Sequence, residues 1–179
     1  LSTENLYNRS EDELKELFEL YVMGLEELVV DERIHDNKVK ISVIGRRELL
    51  PKKVIDAIEK AEKITENYED YVFTICLAYG SREEIVQAIR EIASLHASGE
   101  LSLDQIDEKE VSNRLYTKGV PDPDLIIRTS GEERISNFLL WQSAYSEFIF
   151  VDTYWPSFSK REFLRALQTY QTRTRRFGE

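Results

Sequence analysis

The run "YVFTICLAYG", residues 71–80, constrains the fold of this chain more than any other stretch. It is nearly continuous in apolar residues, as a parallel strand buried on both faces should be. Ser81 and Glu84 follow with the spacing of a capping box. Ile85, Ala88, Ile89 and Ile92 then recur at helical spacing. A strand that feeds directly into an amphipathic helix is the repeating unit of an α/β protein.

The rest of the chain repeats that alternation. Ser10 and Glu13 form a capping-box pair ahead of a long helix with Leu14, Leu17, Phe18, Tyr21, Leu25 and Leu28 on one face. "KVKISVIG" is a strand ending at Gly45, and Pro51 suits the first turn of a helix carrying Val54, Ile55, Ile58 and Ala61. Gly99 closes the helix after Ser81, and a short helix is expected around Glu108 to Tyr116. "LIIRT" and "EFIFVD" read as two further strands, and Ser159 with Glu162 caps a last helix that ends in Arg173, Arg175 and Arg176. No repeat or linker divides the sequence. Residues 1–179 therefore read as one α/β domain with a mostly parallel sheet flanked by helices.

Charge and composition exclude several function classes. A net charge of -10 argues against an extended nucleic-acid surface, which needs a basic face to displace counterions. No apolar stretch approaches the roughly 20 residues of a membrane span. The single cysteine, Cys76, rules out an internal disulfide, fits a reducing compartment and reads as a buried core thiol. His35 and His96 are isolated, which argues against zinc, and no phosphate-binding Walker loop or dinucleotide fingerprint occurs.

Within this acidic chain, "DLIIRTSGEERISNFLLWQ" gathers Arg128, Ser130, Arg134 and Ser136 in one turn beyond the end of a strand. Open parallel sheets bind ligands beyond the carboxyl ends of their strands. Ser136 is placed to cap a helix of "NFLLWQ", whose first N–H groups would favour an anion. Gly131 adds to the same geometry. Two guanidinium forks, a hydroxyl and a helix N-terminus suit a phosphate or diphosphate. Glu132 is placed to orient one of the arginines. The plain alternative is that the arginines pair with Asp122, Asp124, Glu132 and Glu133. Glu147, which opens the next strand, is either a solvated carboxylate or a ligand for a hard cation shared with substrate phosphates.

The pattern of Asp124, Arg128, Ser130, Glu132, Arg134, Ser136, Asn137, Trp141, Gln142, Tyr145 and Glu147 resembles the C-terminal signature of the cis-prenyltransferases, the undecaprenyl diphosphate synthase family. "LSTEN" resembles that family's loop ending in Glu-Asn. "AYGSREEI" resembles its Tyr-Gly-Gly/Ser-Arg segment, and "RRFGE" its Arg-x-Gly ending. The resemblance runs along essentially the whole chain. It implies condensation of isopentenyl diphosphate with an allylic diphosphate, each new double bond cis, to a polyprenyl diphosphate that serves as precursor of a glycosyl carrier lipid.

By the same resemblance, Arg128, Arg134 and Ser136, with Ile135 between them, hold the diphosphate of isopentenyl diphosphate. Glu147 helps bind Mg2+, and Asn5 takes part in proton removal. Ser2, Thr3 and Glu4 shape the Asn5 loop, and Arg9 is matched to the arginine after it. Arg82, Asp124 and Glu132 support the site. Arg176 and Gly178 match a tail that reaches the partner subunit's site, which implies a homodimer. The helices are expected to enclose an apolar product tunnel, to which Leu17, Phe18, Leu20, Met23 and Leu25 could contribute as an alternative to ordinary core packing. A cytoplasmic protein with peripheral membrane contact for product release is implied.

Leu6 stands where bacterial members carry tryptophan, and the loop to Arg9 is one residue longer, which places the chain nearer the archaeal and eukaryotic branch. The family's Asp-Gly-Asn-x-Arg loop, which would bind the allylic diphosphate and supply the principal Mg2+ ligand, is absent. The chain also opens on Leu1 rather than methionine. The expectation is that a preceding segment, carrying that loop and the first strand, belongs to the native protein, and that residues 1–179 alone do not complete the reaction. An alternative function is a noncatalytic partner subunit of a heteromeric cis-prenyltransferase. A third is a phosphate-binding module without chemistry, which the Asn5 loop disfavours.

Overall fold

The computed structural model describes residues 1–173, which fall into two compact units, Leu1–Val120 and the chain from Pro121 onward. All the regular strand pairing among the described residues is parallel, as the alternation of strands and helices requires.

Unit 1 opens with three helices, α1 (Thr3–Asn8), α2 (Glu11–Val30) and α3 (Glu32–Asp36). Strand β1 (Val39–Ile44), helix α4 (Lys52–Ile64), strand β2 (Tyr71–Cys76), helix α5 (Ser81–Ser98) and the short α6 (Glu108–Ser112) follow. Ser10 and Glu13 form the expected capping box of α2. The stripe read from the sequence is the face that turns inward: Phe18 and Leu25 are buried, with Leu14, Tyr21 and Leu28 packed against the same core. That core is completed by Val54, Ile58 and Ala61 of α4 and by Ile41 and Val43 of β1. Each isoleucine removed from water here contributes roughly 1.5–3 kcal/mol. Leu20 and Met23 point away from it and are exposed.

Strand β1 pairs with β2 in register from Val39↔Tyr71 to Ile44↔Cys76. Its other edge is closed by side chains of α4 and its cap. The Ile41 N–H donates to Thr65 Oγ1 at 3.0 Å and the Val43 N–H to Glu62 Oε1 at 2.9 Å. Those edge donors therefore have partners without a third strand.

Several expectations are corrected in unit 1. Tyr71, Val72 and Phe73 of β2 are exposed, at 63, 50 and 44%. Among the described residues β2 is covered on one edge by β1, and on the other only its end is met, Leu1 N donating to the Cys76 carbonyl at 3.2 Å and Ser2 bridging to Tyr79 beyond it. Gly80, not Ser81, is the N-cap of α5. Glu84 is drawn inward rather than back to the cap, and Ile89, at 55% exposure, turns out to solvent. Cys76 is half-buried rather than fully enclosed, and burial pushes its thiol up to about 11. Pro51 lies one residue outside α4 as its N-cap.

Unit 2 consists of β3 (Leu125–Arg128), β4 (Glu147–Phe150) and α7 (Lys160–Gln171). The two strands pair from Leu125↔Glu147 to Arg128↔Phe150. Ser159 and Glu162 cap α7 as expected. The chain between the strands forms no helix, which overturns the expected helix of "NFLLWQ". Ser136, Asn137 and Leu139 have φ of 48°, 61° and 46°. An α-helix of L-residues needs negative φ throughout, so three left-handed residues in four positions break its ladder.

Candidate functional site

In unit 2 the side chains singled out in the sequence meet at the carboxyl end of β3. Arg128 is the strand's last residue, and its carbonyl accepts from the Val151 N–H at 2.9 Å. The chain then turns through Ser130 and Gly131, both at positive φ. This turn is tied to the continuation of β4, the Ser130 N–H donating to the Thr153 carbonyl and the Gly131 N–H to the Val151 carbonyl, each at 2.9 Å. A Cβ on Gly131 would lie 3.1 Å from Asp152 Oδ1. The glycine thus serves close approach of two segments. Its N–H points into the fold and not toward a ligand, contrary to the sequence reading.

Arg128 organises the next turn. Its Nη1 donates to the Arg134 carbonyl and, at 2.9 Å, to Ser136 Oγ. Arg134 donates to Glu132, the arginine-orienting contact expected of that carboxylate. Ser136 therefore engages a guanidinium and caps no helix. Arg128, Arg134, Ile135 and Ser136 line a pocket of about 260 Å³ whose floor is Phe148 and Phe150. The two rings stack with centroids 6.1 Å apart. A small apolar floor under a rim of two guanidinium groups and a hydroxyl suits a ligand with a short hydrocarbon and an anionic head.

Glu147 is not part of this pocket. It opens β4, and its N–H donates to the Asp124 carbonyl at 3.0 Å, so both carboxylates sit at the amino end of the strand pair. Arg128 is at the other end, three residues along, roughly 10 Å away. Glu147 Oε2 accepts from Arg173 Nη1 at 2.8 Å. A hard cation commonly joins one or two protein carboxylates to substrate phosphates. Among the described residues no three His, Cys, Asp or Glu side chains converge on a common point. The one carboxylate assigned to metal is held by an arginine, so the described residues do not form a ready metal site.

In unit 1, Leu1 and Ser2 run beside the end of β2: the Tyr79 N–H donates to the Leu1 carbonyl at 3.2 Å. Ser2 Oγ caps α1 by accepting from the Asn5 N–H at 3.2 Å. Thr3, fully buried, donates its hydroxyl to Glu83 Oε2 at 2.7 Å, which fixes this turn on the first turn of α5. Asn5 and Glu4 face solvent. Arg9 is the C-cap of α1, 3.8 Å from Glu13. Arg82 shares a cleft of about 640 Å³ with Arg46, Arg47, Arg90 and Tyr116. Sequence reasoning passed over that cleft, although "GRREL" at a strand end is the same kind of signal as "RTSGEER".

Beneath it, Glu84 is 1% exposed. It accepts from the Tyr79 hydroxyl at 2.6 Å and from the Tyr116 N–H at 2.8 Å. Burial, together with that carboxylate, pushes the Tyr79 phenol far above its ordinary value. Glu84 is thus the internal brace of α5, a role the capping rule did not anticipate. Arg176 and Gly178 lie outside the described residues. No described helix is long and apolar enough to cross a membrane.

Residues 1–178 match the family described as "Putative undecaprenyl diphosphate synthase". The chain is 51% identical over 177 residues to the tritrans,polycis-undecaprenyl-diphosphate synthase (geranylgeranyl-diphosphate specific) of Pyrococcus horikoshii, covering 99% of this chain and 67% of that protein. It is 53% identical over 178 residues to the protein of the same name from Methanopyrus kandleri, covering 99% of this chain and 65% of that one. The crystal structure of lavandulyl diphosphate synthase from Lavandula x intermedia, in complex with dimethylallyl diphosphate, superposes with a TM-score of 0.93 at 39% identity. That match covers 100% of this chain and 76% of the lavender enzyme. The chain thus spans about two thirds of the length of these archaeal relatives.

Proposed function

The chain belongs to the cis-prenyltransferases, the undecaprenyl diphosphate synthase family, and we propose that it elongates an allylic diphosphate with isopentenyl diphosphate, each new double bond cis. The observation that carries this reading is the unit 2 pocket, with Arg128, Arg134 and Ser136 at its rim and Phe148 and Phe150 below. The guanidinium forks take the diphosphate of isopentenyl diphosphate, and the aromatic floor takes its five carbons. In the reaction a carbon–carbon bond forms between the isopentenyl alkene and the allylic carbon. Diphosphate departs from the allylic partner, and a proton leaves the isopentenyl unit. Fixing the anionic head aligns the alkene for that attack. Asn5, in a turn braced by Ser2 and Thr3, takes part in removing the proton.

The archaeal relatives are named as geranylgeranyl-diphosphate specific and as makers of a tritrans,polycis-undecaprenyl product. Geranylgeranyl diphosphate is accordingly the primer proposed for this chain, and a carrier lipid for sugars is the proposed fate of its product. Mg2+ is the proposed cofactor on the family resemblance; when bound it supplies neutralisation of diphosphate charge. A homodimer, with Arg176 and Gly178 acting at the partner's site, completes the proposal, as does an apolar tunnel for the growing product.

The test is incubation of the full native protein with isopentenyl diphosphate, geranylgeranyl diphosphate and Mg2+, with products read by mass. A ladder in five-carbon steps is expected. No product alone, but a ladder when a catalytic homologue is added and stimulated, would replace this reading by the partner-subunit one.

A further inference from the structure

Asn5 faces solvent, and among the described residues its side chain makes no hydrogen bond. Where that amide points is therefore decided by the backbone of α1. A helix of six residues does not hold itself together in water, so its place comes from contacts with the rest of unit 1. Ser2 bridges to Tyr79, but that pairing ends at the N-cap, before the helix begins. Leu6 adds a partly buried apolar contact, which is non-directional and fixes no orientation. The buried residue of α1 is Thr3. Its hydroxyl donates to Glu83 Oε2 at 2.7 Å, while the neighbouring Glu4 Oε2 lies at the 3.5 Å limit of such a bond. A hydroxyl has one proton to give, and the shorter contact takes it.

Glu83 stands on a firm support. It lies in the first turn of α5, a helix of 18 residues whose inner face buries Ser81, Glu84, Ala88 and Ile92. Its neighbour Glu84 ties the same turn to Tyr79 and Tyr116. The carboxylate therefore grips α1 from a fixed element 80 residues away in sequence.

We propose that Glu83 is a positioning residue for the reaction: through the Thr3 hydroxyl, its carboxylate fixes the turn that presents Asn5. The inference rests on the part given to Asn5 under the proposed function. Glu83 acts on rate by holding the backbone that carries another group. The bond is charge-assisted, and Thr3, fully buried, has no water to turn to when it is lost. A displacement of about 1 Å at a reacting group can cost on the order of a hundredfold in rate. The loss should fall on turnover and not on affinity for isopentenyl diphosphate, whose diphosphate is assigned to Arg128, Arg134 and Ser136.

The experiment uses the full native protein with isopentenyl and geranylgeranyl diphosphates. Glu83→Ala and Thr3→Val are each expected to lower kcat by about tenfold to a hundredfold, with the Kd of isopentenyl diphosphate unchanged in calorimetry. The double variant should be no slower than the slower single one, because each removes the same interaction. Glu83→Gln keeps an acceptor oxygen and should recover most of the rate. Amide exchange at Asn5 and Leu6, whose N–H groups bond to Ser2, should quicken in Glu83→Ala and stay slow in Glu83→Gln. Glu83 is only partly buried, so Glu83→Ala should keep the parent's unfolding midpoint. If Thr3→Val does not fold, Glu83→Ala against Glu83→Gln carries the comparison. A parent-like kcat in Glu83→Ala overturns the inference, as do single losses that add in the double variant or exchange at Asn5 that does not change. A parent that yields no five-carbon ladder overturns the proposed function and the claim on turnover with it, while the exchange comparison still decides whether Glu83 holds the turn.

Discussion

Arg128→Lys is the sharpest test of how the pocket of unit 2 holds an anion. The substitution keeps the positive charge and removes the fork. Arg128 uses Nη1 inside the protein, on the Arg134 carbonyl and Ser136 Oγ, which leaves its other nitrogens for a ligand. A lysine ammonium is a single point and cannot brace the turn and present a flat pair of donors together. Loss of one internal hydrogen bond costs about 0.5–1.5 kcal/mol, and loss of a charge-assisted pair to the ligand about 1.5–3 kcal/mol. The sum, roughly 2–4.5 kcal/mol, corresponds to a rise of about thirtyfold to about two-thousandfold in the Kd of isopentenyl diphosphate. The site is half-open, so the lower end is expected. Titration calorimetry with the native protein reads the value directly. Arg134→Ala, at a more exposed arginine already paired with Glu132, should cost less, about tenfold. A lysine at 128 that binds like the parent would show that only charge matters there and would refute the fork argument.

Three other outcomes are expected. Glu84→Ala leaves the Tyr79 hydroxyl and the Tyr116 N–H without their acceptor in a buried position, so stability should fall by about 2–5 kcal/mol in urea unfolding, with Glu84→Gln milder; a change below about 0.5 kcal/mol would mean the brace is dispensable. Cys76, whose thiol is pushed from 9.0 to about 11 by burial, should carry roughly a hundredth of the ordinary thiolate and react slowly with iodoacetamide near pH 8. Because its folded value is the higher one, the stability it contributes is present below pH 9.0 and lost as pH rises toward about 11; alkylation at the rate of a free peptide thiol would contradict both statements. Deletion of residues 176–179 should lower turnover far more than the unfolding midpoint, and the reverse pattern would make the tail structural.

The elements that could be read from the sequence are those governed by neighbours in sequence. The capping boxes at Ser10 and Ser159 depend on residues three apart, and both form. The α2 stripe depends on a 3.6-residue period, and Phe18 and Leu25 are where it predicts. The misreadings share the opposite property. Glu84 has capping-box spacing from Ser81, yet the demand of a buried phenol and of a backbone N–H 32 residues ahead decides its position. Ile89 follows the helical period and yet faces water, while Ser81, Glu84, Ala88 and Ile92 form the buried face of α5. Glu147 and Arg173 are 26 residues apart, and no local rule pairs them.

The segment after Ser136 shows why such a failure bears on chemistry. "NFLLWQ" has the apolar density of a helix, and a helix there would have offered an anion its first free N–H groups. Left-handed backbone at Ser136, Asn137 and Leu139 removes that helix, and the guanidinium of Arg128 holds the turn in its place. Backbone donors at a helix end survive almost any side-chain substitution. Here the Ser130 and Gly131 N–H groups are already committed to Thr153 and Val151, so recognition falls on side chains that one substitution can remove. The same reasoning separates the two arginine-lined clefts. In unit 1, Arg46 and Arg47 have Glu48 and Glu62 as partners 2.7 and 2.6 Å away, and an anion there must compete with carboxylates. In unit 2, Arg134 is likewise paired with Glu132, but Arg128 is turned toward neutral acceptors, so one guanidinium there has no carboxylate to give up. That difference, and not the number of arginines, is why the smaller pocket is the one proposed to take a diphosphate.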